Sequence, residues 1–170
     1  MRKVYLAEST LSASAGMSFG RRLECARLLD DVKADVICVC PIGQEKSDEI
    51  LIKTIARQTK NAVVSVPVSD GECEKAFSAV KDAARPRLNV RYPVSVVGME
   101  YSMHLKPDKM LEKISETIKS AKALCPDVEF TALDATRSEK GFLERALTAA
   151  KDAGANTLTV SDEAGDHENK

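Results

Sequence analysis

Five side chains in this sequence could share one chemical task. Glu8, Asp134, Arg137, Asp162 and Glu163 each stand just beyond a short apolar run that reads as a β-strand. If those strands are parallel, their C-terminal ends collect at one rim, where strand-helix enzymes place their reactive groups. Glu8, Asp134 and Arg137 are then the candidate catalytic residues, and Arg91 or Arg137 could anchor a small carboxylate through a guanidinium fork. A plainer reading competes. Asp134 and Arg137 can be a turn and helix-start pair, Glu8 a solvated acid, and Glu163 part of a frayed end; this reading is the starting expectation.

The sulfur and imidazole groups offer less. Cys38-Val39-Cys40 is a C-x-C spacing, which on a strand puts both thiols on one face, but no second Cys or His pair accompanies it. Two small apolar residues in a buried strand is therefore the expected role. The five cysteines are an odd number scattered through apparent helices and strands, which suits a reducing compartment. His104 and His167 have no partner at metal-ligand spacing and are expected at the surface.

The elements that must position these groups follow from the pattern. β-branched runs recur at Val4 to Ala7, Asp35 to Cys40, Ala62 to Val68, Arg87 to Val94, Asp127 to Ala132 and Asn156 to Val160. Between them, apolar residues recur at helical spacing: Leu23, Ala26, Leu29 and Val32; Ile50, Leu51, Thr54 and Ile55; Met110, Leu111, Ile114, Ile118 and Ala121; Phe142, Leu143, Ala146, Leu147 and Ala150. Pro107-Asp108 marks the start of a helix, Ser138-Glu139 another, and Gly154 a left-handed stop. The result is β-α repeated five times and closed by a sixth strand. Such alternation calls for a parallel sheet covered by helices, either a barrel-type repeat or an opened doubly wound sheet. Ser14-Ala15-Gly16 has one glycine where a dinucleotide fingerprint needs three, so a nucleotide-binding open sheet loses ground.

Composition sets the limits. The 170 residues suffice for one ordinary domain but fall short of the roughly 250 of a closed eightfold barrel. A hydrophobic fraction of 44%, a charged fraction of 30% and a net charge of −1 describe a soluble globular chain without a field that would draw nucleic acid or an anionic membrane. Only four apolar residues follow Met1-Arg2-Lys3 before Glu8, too few for a signal peptide, and a cytoplasmic location is expected.

The order of short words along residues 4 to 165 resembles the N-terminal part of the catalytic barrel of the DRE-TIM metallolyases, the family of 2-isopropylmalate synthase, homocitrate synthase and the HMG-CoA lyases. Glu8-Ser9-Thr10-Leu11-Ser12-Ala13-Ser14 occupies the place of the opening D-T-T-L-R-D-G motif. Ala34-Asp35-Val36-Ile37 with Pro41, Thr54-Ile55-Ala56-Arg57, Lys60-Asn61-Ala62, Arg85-Pro86-Arg87-Leu88, Met99-Glu100-Tyr101, Asp127-Val128-Glu129-Phe130 and Asp134-Ala135-Thr136-Arg137-Ser138 follow in the family's order. The resemblance implies an incomplete TIM barrel of about five βα units plus a sixth strand over residues 1–165, with a polar tail at 166–170. It also implies a Claisen condensation of acetyl-CoA with a 2-oxo acid, or its reverse, on a divalent metal that would clamp the oxo acid and stabilise the developing alkoxide, with the motif's arginine polarising the oxo group.

Against that pattern the polar positions differ. The metal aspartate corresponds to Glu8, the arginine to Ser12 and the next aspartate to Ala13. A family glutamate falls on Cys38, two histidines on Asn89 and Gly98, a second glutamate on Leu133, and a threonine on Glu163 after Asp162. The His-x-His strand has no counterpart before Lys170, so the seventh and eighth units are expected to be missing. The expectation is a catalytically degenerate, synthase-like pseudoenzyme that binds a small carboxylate or regulates a partner, with no cofactor alone. Half of a split acyl-CoA-dependent condensing enzyme, with metal and acetyl-CoA, is the alternative. Unpaired strand edges at either end point to a homo-oligomer or to a subunit that completes the barrel.

Overall fold

Each β-branched run pairs with the next in the computed structural model, which describes residues 3–13, 16–43, 45, 47–68 and 71–165. Ser14 and Ala15 of the opening motif, and the 166–170 tail with His167, lie outside the described residues. The strands are β1 (Ala7–Glu8), β2 (Val36–Cys38), β3 (Val63–Val68), β4 (Pro86–Pro93), β5 (Val128–Leu133) and β6 (Thr157–Val160). The helices are α1 (Phe19–Asp31), α2 (Asp48–Gln58), α3 (Cys73–Val80), α4 (Pro107–Leu124) and α5 (Lys140–Asp152). Strand order follows chain order, β1-β2-β3-β4-β5-β6, and the β1–β2, β2–β3 and β5–β6 ladders are parallel. A doubly wound sheet reverses direction at a switch point. This order never reverses, so the opened doubly wound alternative is excluded and the fold is an incomplete TIM-barrel-like α/β repeat.

Two compact units divide the chain: Met1–Val68 with Glu72–Leu88, and Ser69–Gly71 with Asn89–Lys170. In the first unit β1 is shorter than its apolar run. Val4, Tyr5 and Leu6 are 87%, 61% and 64% exposed and precede the ladder, although Leu6 bonds to Asp35 through its N–H at 2.9 Å and receives the Asp35 N–H at 3.1 Å. The core is Ile37, Val39, Ile52, Ile55, Val64 and Val66, all fully buried.

The first two helices bury only part of the stripe their apolar spacing suggests, and polar residues share the inward face. α1 buries Arg22, Ala26 and Asp30, while Val32 lies past its end and is exposed. The reason is polar. Asp30 accepts the backbone N–H groups of Lys60, Asn61 and Ala62 at 2.8–2.9 Å, and Arg22 reaches Glu45 at 3.1 Å. α2 buries Asp48, Leu51, Ile52, Ile55 and Ala56 and leaves Ile50 exposed, because the Asp48 carboxylate accepts the Glu45 N–H at 2.6 Å.

The second unit follows its pattern more closely. α4 begins with Pro107 in its first turn and buries Met110, Ile114, Ile118 and Ala121; α5 buries Phe142, Ala146 and Ala150. Proline at that position gives up an N–H that has no intrahelical partner. Gly154, at φ +110, supplies the left-handed turn after α5. Glu139 rather than Ser138 precedes α5, and the Ser138 hydroxyl instead donates to the Val94 carbonyl at 2.8 Å, fastening the loop after β5 to the end of β4. A one-turn π-helix, Gly98–Met103, follows β4, and a 3-10 turn, Ala135–Arg137, follows β5.

Candidate functional site

The second unit gathers most of the sequence-predicted groups around one cavity of about 430 Å³ at the C-terminal ends of β4 and β5. Arg91, Asp134, Arg137 and Glu163 supply its charges. Val97, Tyr101, Met103 and Leu133 supply its apolar wall. The local chain explains this placement. Along β4, Leu88, Val90 and Tyr92 are buried while Asn89, Arg91 and Pro93 alternate with them as half-buried residues of the other face. The last of these positions open onto the cavity. Asn89 accepts the Thr131 hydroxyl at 2.8 Å, and Thr159 donates to Glu129 at 2.6 Å, so this sheet face is polar along its length.

Asp134 is the most constrained of the four. Its backbone is left-handed, at φ 55, which aspartate tolerates better than most residues, and the residue is 5% exposed. Arg137 closes on it with a two-pronged contact, Nε to Oδ1 at 2.7 Å and NH2 to Oδ2 at 2.8 Å. Those hydrogen bonds, aided by one from Ser95, hold the Asp134 carboxyl below the usual carboxylate range against the opposing effect of burial. The turn and helix-start pair is therefore present, and it is also a cavity wall. Arg91 differs from Arg137. It has no hydrogen bond or ion pair to any described residue. Glu163 is exposed on the cavity rim, while Asp162 accepts the Thr136 hydroxyl at 2.8 Å.

Glu8 belongs to the first unit and has an engagement of its own. Its carboxylate accepts the Thr10 hydroxyl at 2.6 Å and the Thr10 N–H at 3.0 Å, which caps the 3-10 turn Thr10–Ala13 whose Leu11 is buried. It is half-buried rather than freely solvated. Glu8 pairs in register with Ile37 and so lies on that residue's face, whereas Cys38 pairs with Ser65 on the opposite face. Consistent with this, Cys25 on α1 has its thiol pushed up by burial and, second, by the Glu8 charge. Ser12 spends its hydroxyl on the Ser9 carbonyl at 2.7 Å.

A divalent ion needs several oxygen, nitrogen or sulfur donors converging on one point. Among the described residues no three His, Cys, Asp or Glu side chains are gathered for that purpose, and both Glu8 oxygens already receive hydrogen bonds from Thr10. The described residues offer no donor set that fits such an ion. Cys40 is unsuited to ligation too. Burial above all, with the Asp48 charge second, pushes its thiol up to about 11, and it points its sulfur at Asp48 Oδ1 from 3.8 Å. His104 is exposed in a left-handed position after the π-helix, as a surface residue.

Gly98 was the least legible contributor. A Cβ built there would meet Pro93 Cβ at 2.6 Å and Ser95 Oγ at 3.1 Å, so this part of the cavity wall accepts no side chain. A lone glycine after a strand gives no such signal in sequence.

The comparisons with known proteins agree with the topology. A family model described as HMGL-like matches residues 6–168. The 2-isopropylmalate synthase of Caulobacter vibrioides is 34% identical over 156 residues, 91% of this chain and 30% of its own length. Those of Methylococcus capsulatus and Shouchella clausii are 33% and 31% identical over 94% and 97% of this chain, and 32% and 34% of theirs. The chain thus spans about a third of the length of the curated relatives it matches.

Proposed function

The chain belongs to the HMGL-like family, and from that premise we propose that it is a synthase-like protein, catalytically degenerate at the family's polar positions, that binds a small carboxylate in the cavity beyond β4 and β5. The observation that carries this reading is Arg91, a half-buried guanidinium on the cavity wall without a partner among the described residues, beside an Arg137 already committed to Asp134. A planar fork with free donors in a partly enclosed, largely apolar cavity is suited to a carboxylate.

Degeneracy is supported by three positions. Ser12 stands where the resemblance places arginine and can offer neither charge nor a fork. Leu133 stands in place of a glutamate and lines the cavity wall. Gly98, aligned with a histidine, sits on backbone that leaves no room for one. Incubation with acetyl-CoA and a panel of 2-oxo acids should release no free thiol. Calorimetry with 2-oxo and 2-hydroxy monocarboxylates should show binding that Arg91→Gln weakens by roughly tenfold or more. Unchanged affinity in that variant would remove the anchor and the reading with it.

A second reading, one half of a split acyl-CoA-dependent condensing enzyme, is supported by the likeness to 2-isopropylmalate synthase over 91% of this chain. It requires a partner carrying the imidazole pair and, with it, metal-dependent thiol release that neither chain shows alone. Association is part of both readings. Leu158 and Val160 on β6 are 40% and 54% exposed, and apolar strand edges favour pairing with a second copy or a completing subunit. Light scattering separates these from a monomer. Five free cysteines support a reducing, cytoplasmic setting.

A further inference from the structure

The charges around the cavity come in two pairs, and only one pair is satisfied. Arg137 and Asp134 neutralise each other through two hydrogen bonds, which takes both out of the count of groups available to a ligand. What remains is one cation, Arg91, and one anion, Glu163, neither bonded to any described residue, on the wall of the same cavity. Val97, Tyr101, Met103 and Leu133 add an apolar surface to that lining. A plain carboxylate would answer Arg91 and leave Glu163 facing a second negative group. A plain amine would do the reverse.

A ligand carrying both charges on groups attached to one carbon, with a hydrocarbon chain on the same carbon, answers all three features. We propose that the cavity takes an α-amino acid with an apolar side chain as its zwitterion, the carboxylate on Arg91, the ammonium on Glu163 and the side chain against Val97, Tyr101, Met103 and Leu133. This rests on the carboxylate-binding reading and narrows it to one ligand class. Gly98 shapes the fit, because the blocked Cβ position keeps the π-helix wall low beside Pro93 and Ser95. Each ion pair is partly open to water, so discrimination comes from using both at once rather than from the strength of either.

Three probes sharing one propyl side chain test this by calorimetry on the whole chain: L-norvaline, 2-oxopentanoate, which lacks the ammonium, and butylamine, which lacks the carboxylate. Norvaline should bind roughly tenfold tighter than either analogue. Glu163→Gln, a change at an exposed side chain, should bring norvaline down to the level of 2-oxopentanoate and should not weaken the oxo acid, which no longer faces a like charge. Arg91→Gln, with its folding checked by thermal melting, should abolish binding of both acids. If 2-oxopentanoate binds as tightly as norvaline and Arg91→Gln removes both, the amino-acid assignment is overturned while carboxylate binding stands. If neither acid binds the unaltered chain, or Arg91→Gln changes nothing, both readings fall.

Discussion

Cys40 shows how little of a residue's chemistry its type reveals. The C-x-C spacing suggests two thiols acting together, yet Cys38 ends β2 half-buried while Cys40 lies beyond the strand, buried against Asp48. With its thiol pushed up to about 11, only about one molecule in a thousand carries the thiolate at pH 8. Alkylation of the native protein at that pH should leave Cys40 unlabelled in a peptide mass map, while urea-unfolded protein labels at all five cysteines. Gly98 makes the opposite point, a residue without functional groups that decides what surrounds it. Gly98→Ala forces Pro93 or the π-helix to move and should cost about 1–3 kcal/mol in chemical denaturation. Neither fact is visible in the sequence, since one depends on a buried neighbour eight residues further along the chain and the other on how tightly the π-helix folds back on the end of β4; Arg137 with Asp134 is visible, because an i, i+3 pair in a turn is local.

At the scale of elements, the apolar stripes located every helix they were read for but not always the buried face. In α4 and α5 the buried face falls within the stripe, because every buried residue of both helices is apolar. In α1 the stripe fails because Asp30 is turned inward to serve as acceptor for the turn that leads into β3. Burial raises the cost of that charge, but the N–H groups of Lys60, Ala62 and Asn61 and the Asn61 side chain more than offset it and bring the carboxyl below its ordinary range. A hydropathy pattern scores such a residue as solvent-facing. Asp30→Ala strips four hydrogen bonds from that turn and should destabilise by about 2–4 kcal/mol in urea unfolding, with Asp30→Asn intermediate. Strand ends were misjudged for a related reason: β1 begins at Ala7, not Val4, because the ladder starts only where Val36 offers a register partner.

Taken as a whole, the described residues include one depressed, buried carboxylate in each unit, Asp30 in the first and Asp134 in the second. Both have folded pKa values below those of the unfolded chain. Their contribution to stability is complete above the unfolded value of about 3.9 and is lost as pH falls through the folded values. Urea midpoints should therefore stay level from neutral pH to about 5 and drop below about 4, and Asp30→Asn or Asp134→Asn should each shallow that drop. The strand order is legible from alternation and word order together, whereas the division into two units is not, because it falls inside the continuous β-branched run of β4. Gly98 bears on more than the cavity it borders. A position whose Cβ would come within 2.6 Å of Pro93 cannot take on a functional group by changing one codon; the loop would have to be rebuilt first, which closes it to new side-chain chemistry while the present backbone stands.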